Sequence, residues 1–467
     1  MRGIRKRAFG LAALGIVAVG GAAVDGVAWG QELLPDFDRA ALACDAIDAG
    51  DAGLACDSMG ACDGAYHEAY GASGGGGWLS QDKMLGDWLG LRGKLAEHGI
   101  TYDIYATQFY QGMAAGGREN GWPYGGKFDT LVNLDGEKFG LQRGFFVNMH
   151  VESRLGKSIN EIDGALLPSN IAMQFPEGDE NITAITGLKF TQALSPNFAV
   201  FAGKINTLDE YALRYAGGPG LGGFMNSSLV FNPILARTVP YGAAGVGFAV
   251  LTDLEPVFAF SVLDPQERAA DGLNDLYQRG TVLLTDVILR PEFGGRRGIY
   301  NFGGSYSNAD YTSIDPSLWL NLPPGPIVAP TEAGSWCLYS NIYQALFTSS
   351  RDASKSWGVF GQYGISDGNP NPIDFTASIG VGGASLVSGR ENDRFGAGFF
   401  YVGLSNNFKQ LMSVTPYDQD DEYGFETFYN YALTPWARLT GDVQFVDPST
   451  RQYGSSIIPG LRLQAIF

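Results

Sequence analysis

A set of polar side chains carries the chemistry this sequence can offer: His150, Glu152, Arg154, Lys204, Arg290, Arg394, Glu426, Arg438, Asp442, Arg462 and Gln464. His150, Glu152 and Arg154 recur every second residue, as do Arg462 and Gln464. That spacing puts side chains on one face of a β-strand. Both signs of charge are present, and rings such as Phe146 and Phe428 are interleaved. Guanidinium groups can donate to the hydroxyls of a polyhydroxylated solute and carboxylates can accept from them, while rings stack on its CH face. A ring of one sign would make an ion filter instead. The plainer reading of any one of these residues is a charge ladder that stiffens a channel wall.

Enzymatic constellations are missing from the sequence. It contains no G-x-S-x-G, no H-E-x-x-H and no P-loop lysine. Gly294-Gly295 and Gly382-Gly383 lack the strand–helix context of a phosphate cradle and read as turn or packing glycines. A hydrolase would need a nucleophile beside a base, and the mid-chain histidine, His150, falls inside a strand. His67, His98 and His150 are scattered, so no zinc constellation is expected. Cys44, Cys56, Cys62 and Cys337 include no CxxC pair. The first three crowd one segment, where two can pair in an oxidising compartment. No enzyme activity, cofactor, metal or nucleic-acid partner is expected.

The elements that must position the polar set are strands. The clearest is Phe145 to Leu155, with Phe145, Val147, Met149, Val151 and Leu155 on one face and Asn148, His150, Glu152 and Arg154 on the other. Its length matches the roughly 9–11 residues of a tilted membrane strand. The same period predicts strands at 101–112, 128–136, 184–193, 197–206, 239–252, 255–263, 281–291, 297–306, 338–347, 356–364, 375–384, 394–403, 422–432, 436–446 and 457–467. With 145–155 they make sixteen, an even number, as single-chain bacterial barrels have. Short turns at Ser195-Pro196-Asn197, Asp253-Leu254, Gly294-Gly295-Arg296 and Thr434-Pro435 alternate with long loops at 207–238, 264–280, 307–337 and 405–421. A meander with unlike rims follows. The loop 207–238, with Tyr211, Arg214, Tyr215, Gly217-Gly218-Pro219-Gly220 and Phe224, reads equally as a surface loop or as one that folds inward to narrow a pore.

Composition agrees with strands. The chain has 467 residues, a net charge of −18, 17% charged residues, 13% aromatics and 66 glycines. Soluble domains carry roughly 25% charged residues and about 7% glycine. A large soluble β protein shares some of these features, and the amino terminus separates the two. Arg2, Arg5, Lys6 and Arg7, the apolar run Ala8 to Val24 and the small-x-small site Ala28-Trp29-Gly30 read as an export signal over 1–30. The alternative is an uncleaved anchor, but the run is short and broken by Asp25. No later run approaches the roughly 20 apolar residues of a membrane helix. Residues 31–77, rich in Ala, Asp and Gly, read as a spacer or as a contact to another envelope component. Residues 78–99 read as an amphipathic helix at the barrel mouth, with Leu85, Trp88, Leu91 or Arg92, and Leu95 on one face and Gly99 as its cap. In Ile457–Phe467, Leu461, Leu463, Ala465 and Phe467 alternate with Arg462 and Gln464. A strand that greasy needs partners on both edges, which a closed barrel supplies by pairing it with 101–112.

Several stretches resemble the carbohydrate-selective porins, the OprB family. They are Ser366-Asp367-Gly368-Asn369-Pro370-Asn371-Pro372, Gly389-Arg390 with Asp393-Arg394-Phe395-Gly396, Tyr431-Ala432-Leu433-Thr434-Pro435-Trp436, and Gly460-Leu461-Arg462-Leu463-Gln464. Upstream, Gly86-Asp87-Trp88, Leu91-Arg92, Leu95-Ala96 and Gly99-Ile100 are similar to the family's helix before the first strand, and Gly203-Lys204-Ile205-Asn206-Thr207-Leu208-Asp209 to another family stretch. The resemblance runs from about residue 80 to the end; 31–77 is not part of it. It implies an all-β protein over 78–467: a 16-stranded antiparallel transmembrane β-barrel with a short N-terminal helix. Its site would be in the outer membrane, passing sugars by diffusion through a constriction lined by charged and aromatic groups. The rival functions are a general or ion-selective porin and a structural barrel that anchors the envelope through 31–77. Expected partners are small sugars, outer-membrane lipid and, through the last strand, the barrel assembly machinery; a homo-oligomer stays open.

Overall fold

A computed structural model describes residues 77–211, 215–216, 220–320, 329–349, 352 and 355–467. The expected export signal, the spacer up to residue 76 with Cys44, Cys56, Cys62 and His67, and Arg214 and Gly217-Gly218-Pro219 lie outside the described residues. Strands follow in chain order: β1 (Ile100–Gln111), β2 (Tyr124–Asp135), β3 (Phe145–Gly156), β4 (Ile182–Ser195), β5 (Phe198–Asn206), β6 (Gly242–Thr252), β7 (Glu255–Leu263), β8 (Val282–Leu289) and β9 (Glu292–Phe293). Then come β10 (Arg296–Thr312), β11 (Thr331–Thr348), β12 (Ser356–Ser366), β13 (Ile373–Ala384), β14 (Arg394–Leu404), β15 (Glu422–Thr434), β16 (Ala437–Asp447) and β17 (Ser456–Ile466). β9 is a two-residue continuation of β8 beyond Arg290-Pro291, pairing with the foot of β10. The wall therefore has sixteen staves, each at a position where the period of two predicts one.

Each stave pairs antiparallel with the next, and β17 closes on β1 from Tyr105↔Ile466 to Gln111↔Gly460. The alternation is inverted relative to a soluble barrel. In β15, Glu422, Gly424, Glu426, Phe428 and Asn430 are buried, while Tyr423, Phe425, Tyr429 and Tyr431 are exposed. In β17, Leu461 is 53% exposed and Arg462 0%. Charges inside and greasy residues outside suit a wall whose outer solvent is lipid. Turns such as 196–197, 253–254, 294–295 and 435–436 gather on the rim that also holds the start of β1 and the end of β17. The opposite rim carries 157–181, 207–241, 264–281 and 405–421. β10 and β11 extend to Thr312 and from Thr331, so the loop expected at 307–337 is shorter, with a bulge between Ser307 and Asp310.

The helix expected over 78–99 is corrected to one of seven residues, Leu91–Glu97, preceded by 3₁₀ turns at Trp78–Ser80 and Trp88–Gly90. Positive φ at Gly86, Trp88, Leu89 and Gly90 breaks the run, and Leu85 and Leu91 are exposed. The buried residue is Arg92, which donates to the carbonyls of Tyr102 at 2.7 Å and Phe467 at 2.5 Å and lies over the Tyr102 ring. Met84 N–H donates to Ile466 O, and Trp78 packs on Trp436. The segment thus clasps the β1–β17 seam.

Of the two readings of 207–238, the inward one is found. Leu208, Tyr211, Tyr215, Phe224, Leu229, Phe231 and Ile234 are buried inside the barrel. Phe224 meets Phe360 and Phe428 with ring centroids 5.4 and 4.9 Å apart. The wall makes room with glycines: a Cβ on Gly398 would lie 2.9 Å from Leu229, and one on Gly382 2.5 Å from the Tyr215 carbonyl. Gly382 is a packing glycine, as the sequence suggests.

Candidate functional site: the charged lumen and its inward loops

The inward faces of the strands bring most of the sequence-derived set inside. His150, Glu152, Arg154, Lys204, Glu426, Asp442, Arg462 and Gln464 are all buried. Arg290, Arg394 and Arg438 are half-buried at the short-turn rim. There Arg290 donates to Pro256 O at 2.6 Å and pairs with Glu255, and Arg438 reaches Asn392 O and Asn430.

Many of these groups hold loops. Arg154 donates to the carbonyls of Pro176, Gly178 and Asp179. Lys204 donates to those of Ala269 at 2.7 Å and Asp271 at 3.1 Å. Arg462 donates to those of Gly220 at 2.6 Å and Gly223 at 2.8 Å. Carboxylates do the converse. Glu426 accepts from the backbone N–H groups of Met225 at 2.6 Å and Asn226 at 2.8 Å, and Glu422 from those of Leu166 and Leu167. A coil inside a barrel has unpaired backbone groups, and buried ones must find partners. The strand charges supply them. Arg462, fully buried against the loop, is turned away from open lumen. Gln464 donates to Thr107, and Asp442 accepts from Gln444.

A denser cluster occupies the β2–β5 wall. Lys127 is ion-paired with Glu152. His150 Nε2 lies 3.2 Å from Asp129 Oδ1, and its Nδ1 2.7 Å from Asp209 Oδ2. Asn206 Nδ2 reaches Glu152, Thr186 and Tyr241, and Tyr241 donates to Glu152. Lys189 pairs with Glu210. Asp129, His150 and Glu152 present donor atoms within 4.8 Å of one another. No metal constellation was expected around His150, and the Lys127 ammonium already sits against this trio. Four carboxylates, Asp129, Glu152, Asp209 and Glu210, face Lys127, Lys189 and His150.

The sequence-derived set omits Lys127, Asp129, Asp209 and Tyr241. Parity could have found Asp129, two residues beyond Lys127 on the same face. Lys127 precedes the expected start of its strand at 128. Asp209 sits in a loop, where no period operates. Outside the strands, burial pushes the Glu267 carboxyl up to about 7, with Glu177 nearby adding to it; the N–H groups of Ala269 and Gly242 that it accepts from act the other way.

A closed sixteen-stave barrel with a greasy exterior, a charged interior and loops folded into its lumen defines an outer-membrane porin, a channel. The sequence profile of the Carbohydrate-selective porin, OprB family, matches residues 119–467. The chain belongs to that family. It is 22% identical over 427 residues to Porin B of Pseudomonas aeruginosa, across 82% of this chain and 91% of that one. Among solved structures, the high-pH structure of Pseudomonas putida OprB superposes with a TM-score of 0.72 at 16% identity, covering 83% of this chain and 99% of that one. The low-pH structure of the same protein gives 0.52 at 14% identity, with the same coverage of both chains.

Proposed function

We propose that this porin passes small sugars by passive diffusion. The observation that carries the reading is the lumen's division. The described residues of loop 207–241 pack an apolar core against β11–β17, and the β2–β5 wall is left with charges of both signs beside half-buried amides. Lys127 with Glu152 and Lys189 with Glu210 neutralise each other in buried pairs, so the wall offers a neutral polyol polar partners without the one-signed field that would select a bare ion. Membership of the OprB family supports the same substrate class. Of the sequence-derived set, His150 and Glu152 stand in the solute-path wall and Arg394 and Arg438 at its short-turn mouth. Arg154, Lys204, Glu426 and Arg462 shape the path by fixing loops. Residues 78–467 are the barrel unit, delivered through the 1–30 signal, with the last strand as the segment the assembly machinery reads.

Single-channel recording in planar bilayers tests the reading. Mono- or disaccharides added to one side should block current in a saturable way, and sugar flux into liposomes should saturate. A conductance indifferent to sugars, with strong ion selectivity, would instead identify a general or ion-selective porin.

A further inference from the structure

The chain leaving β5 is packed away almost completely. Among the described residues from Lys204 to Ala216, Asp209 alone is exposed. Its side chain keeps 32% of its surface. The group that holds it, His150, lies on the inward face of β3 and is 5% exposed. The solvent reaching Asp209 is therefore inside the barrel. The other carboxylates of the cluster are engaged and buried: Glu152 by Lys127, Asn206 and Tyr241, Glu210 by Lys189, and Asp129 beside His150 at 2% exposure.

We infer that Asp209 is the specificity-determining residue of the channel, the one group of this cluster that touches a passing solute, and that His150 positions it. The inference rests on the sugar-porin reading and names its contact. Asp209 comes from a loop and meets the wall at His150, so its carboxylate is the face of the cluster left open to a solute in the lumen. The matching class is a neutral polyol, because an ionised carboxylate accepts from two hydroxyls and its hydrogen bonds are the strong, charge-assisted kind. Asn148 lies one same-face step from His150 along β3, about 6.6 Å. It donates to Asn133 at 2.8 Å, and this half-buried amide pair continues the polar wall toward the other end of a sugar ring. The negative charge of Asp209 also favours cations over anions, which gives a readout independent of sugar.

Asp209→Asn keeps the size of the side chain and an oxygen for His150 to donate to, and removes the charge. Asp209→Glu keeps the charge and moves it by one methylene. Asp418→Asn, in the 405–421 loop, is the control. In planar bilayers, D209N should raise the half-blocking sugar concentration at least about tenfold, equivalent to ~1.4 kcal/mol, and shift the potassium chloride reversal potential toward anions. D209E should keep the wild-type reversal potential with an altered block constant, and D418N should change neither. If D209N does not close into a barrel, D209E decides through its block constant. Wild-type block and selectivity in D209N, or a wild-type block constant in D209E, would overturn the inference while leaving the sugar reading intact. If the wild type is not blocked by sugar, the sugar reading fails. Asp209 then stands on the D209N reversal potential, a shift supporting it and no shift overturning it.

Discussion

Buried charge in this lumen fixes loops, and each clamp is a separate experiment. Arg462 satisfies the Gly220 and Gly223 carbonyls from a fully buried position. Arg462→Met leaves both without their donor, at a cost of roughly 1.5–3 kcal/mol for a hydrogen bond to a charged group. The expected outcome is a larger, noisier single-channel conductance as the loop segment loosens, with the barrel still closed. Glu267 gives a pH dependence. Its carboxyl, at about 7 in the docked loop, returns to roughly 4.3 when released to water. The docked loop therefore binds the proton more tightly, so the stabilisation is fully present below about 4 and is lost as pH rises through 7. Hydrogen exchange, corrected for its intrinsic pH dependence, should show residues 264–280 opening at least about tenfold more at pH 8 than at pH 5. Glu267→Gln should remove the difference.

At the scale of elements, the strands were legible because a membrane wall enforces a period of two along its whole length. Glu422–Asn430 and Thr440–Val446 alternate strictly in burial, and Phe145–Gly156 does so from His150 to Arg154. The seam segment was less legible. Leu85, Trp88 and Leu95 have helical spacing, but Gly86 and Gly90 adopt left-handed backbone between them, and spacing carries no record of φ. Loops were the least legible. Parity assigned Arg462 and Glu426 to the inward face, but it cannot report what lies against that face, and here it is loop backbone. Asp209 had no periodic signal at all. Glycines on the inward face of β12–β15 were the available clue, since a strand that gives up its side chains is being approached closely. Gly382→Val tests this. A Cβ there would lie 2.5 Å from the Tyr215 carbonyl, so the loop segment must move. Conductance should change and a protease site near Tyr215 should open, while gel mobility of the folded barrel stays unchanged.

For the molecule as a whole, the inverted alternation makes the two faces of one strand unequal. Leu463 lies on the outer face of β17 between Leu439 and Gln108 and is 46% exposed. Leu463→Arg places a charge in the lipid-facing band and should cost about 2–4 kcal/mol at mid-depth. Gln464→Arg, one residue on and facing inward, should cost far less. Reversible unfolding in lipid vesicles would measure both.

The clasp between Arg92 and Phe467 joins positions 375 apart in sequence, and that distance governs time as well as place. Contacts so remote form late, since the chain must first lose the entropy of a very long loop. Until β17 meets β1, the growing sheet has two unpaired edges, each a template for a stray strand. Closure is the event that removes both at once. The clasp adds Trp78, Met84 and Arg92 to the joint that forms last, so they should act on reopening rather than on assembly. Stabilisation of this kind slows unfolding without hastening folding. The mouth of the barrel is thus where its lifetime is set.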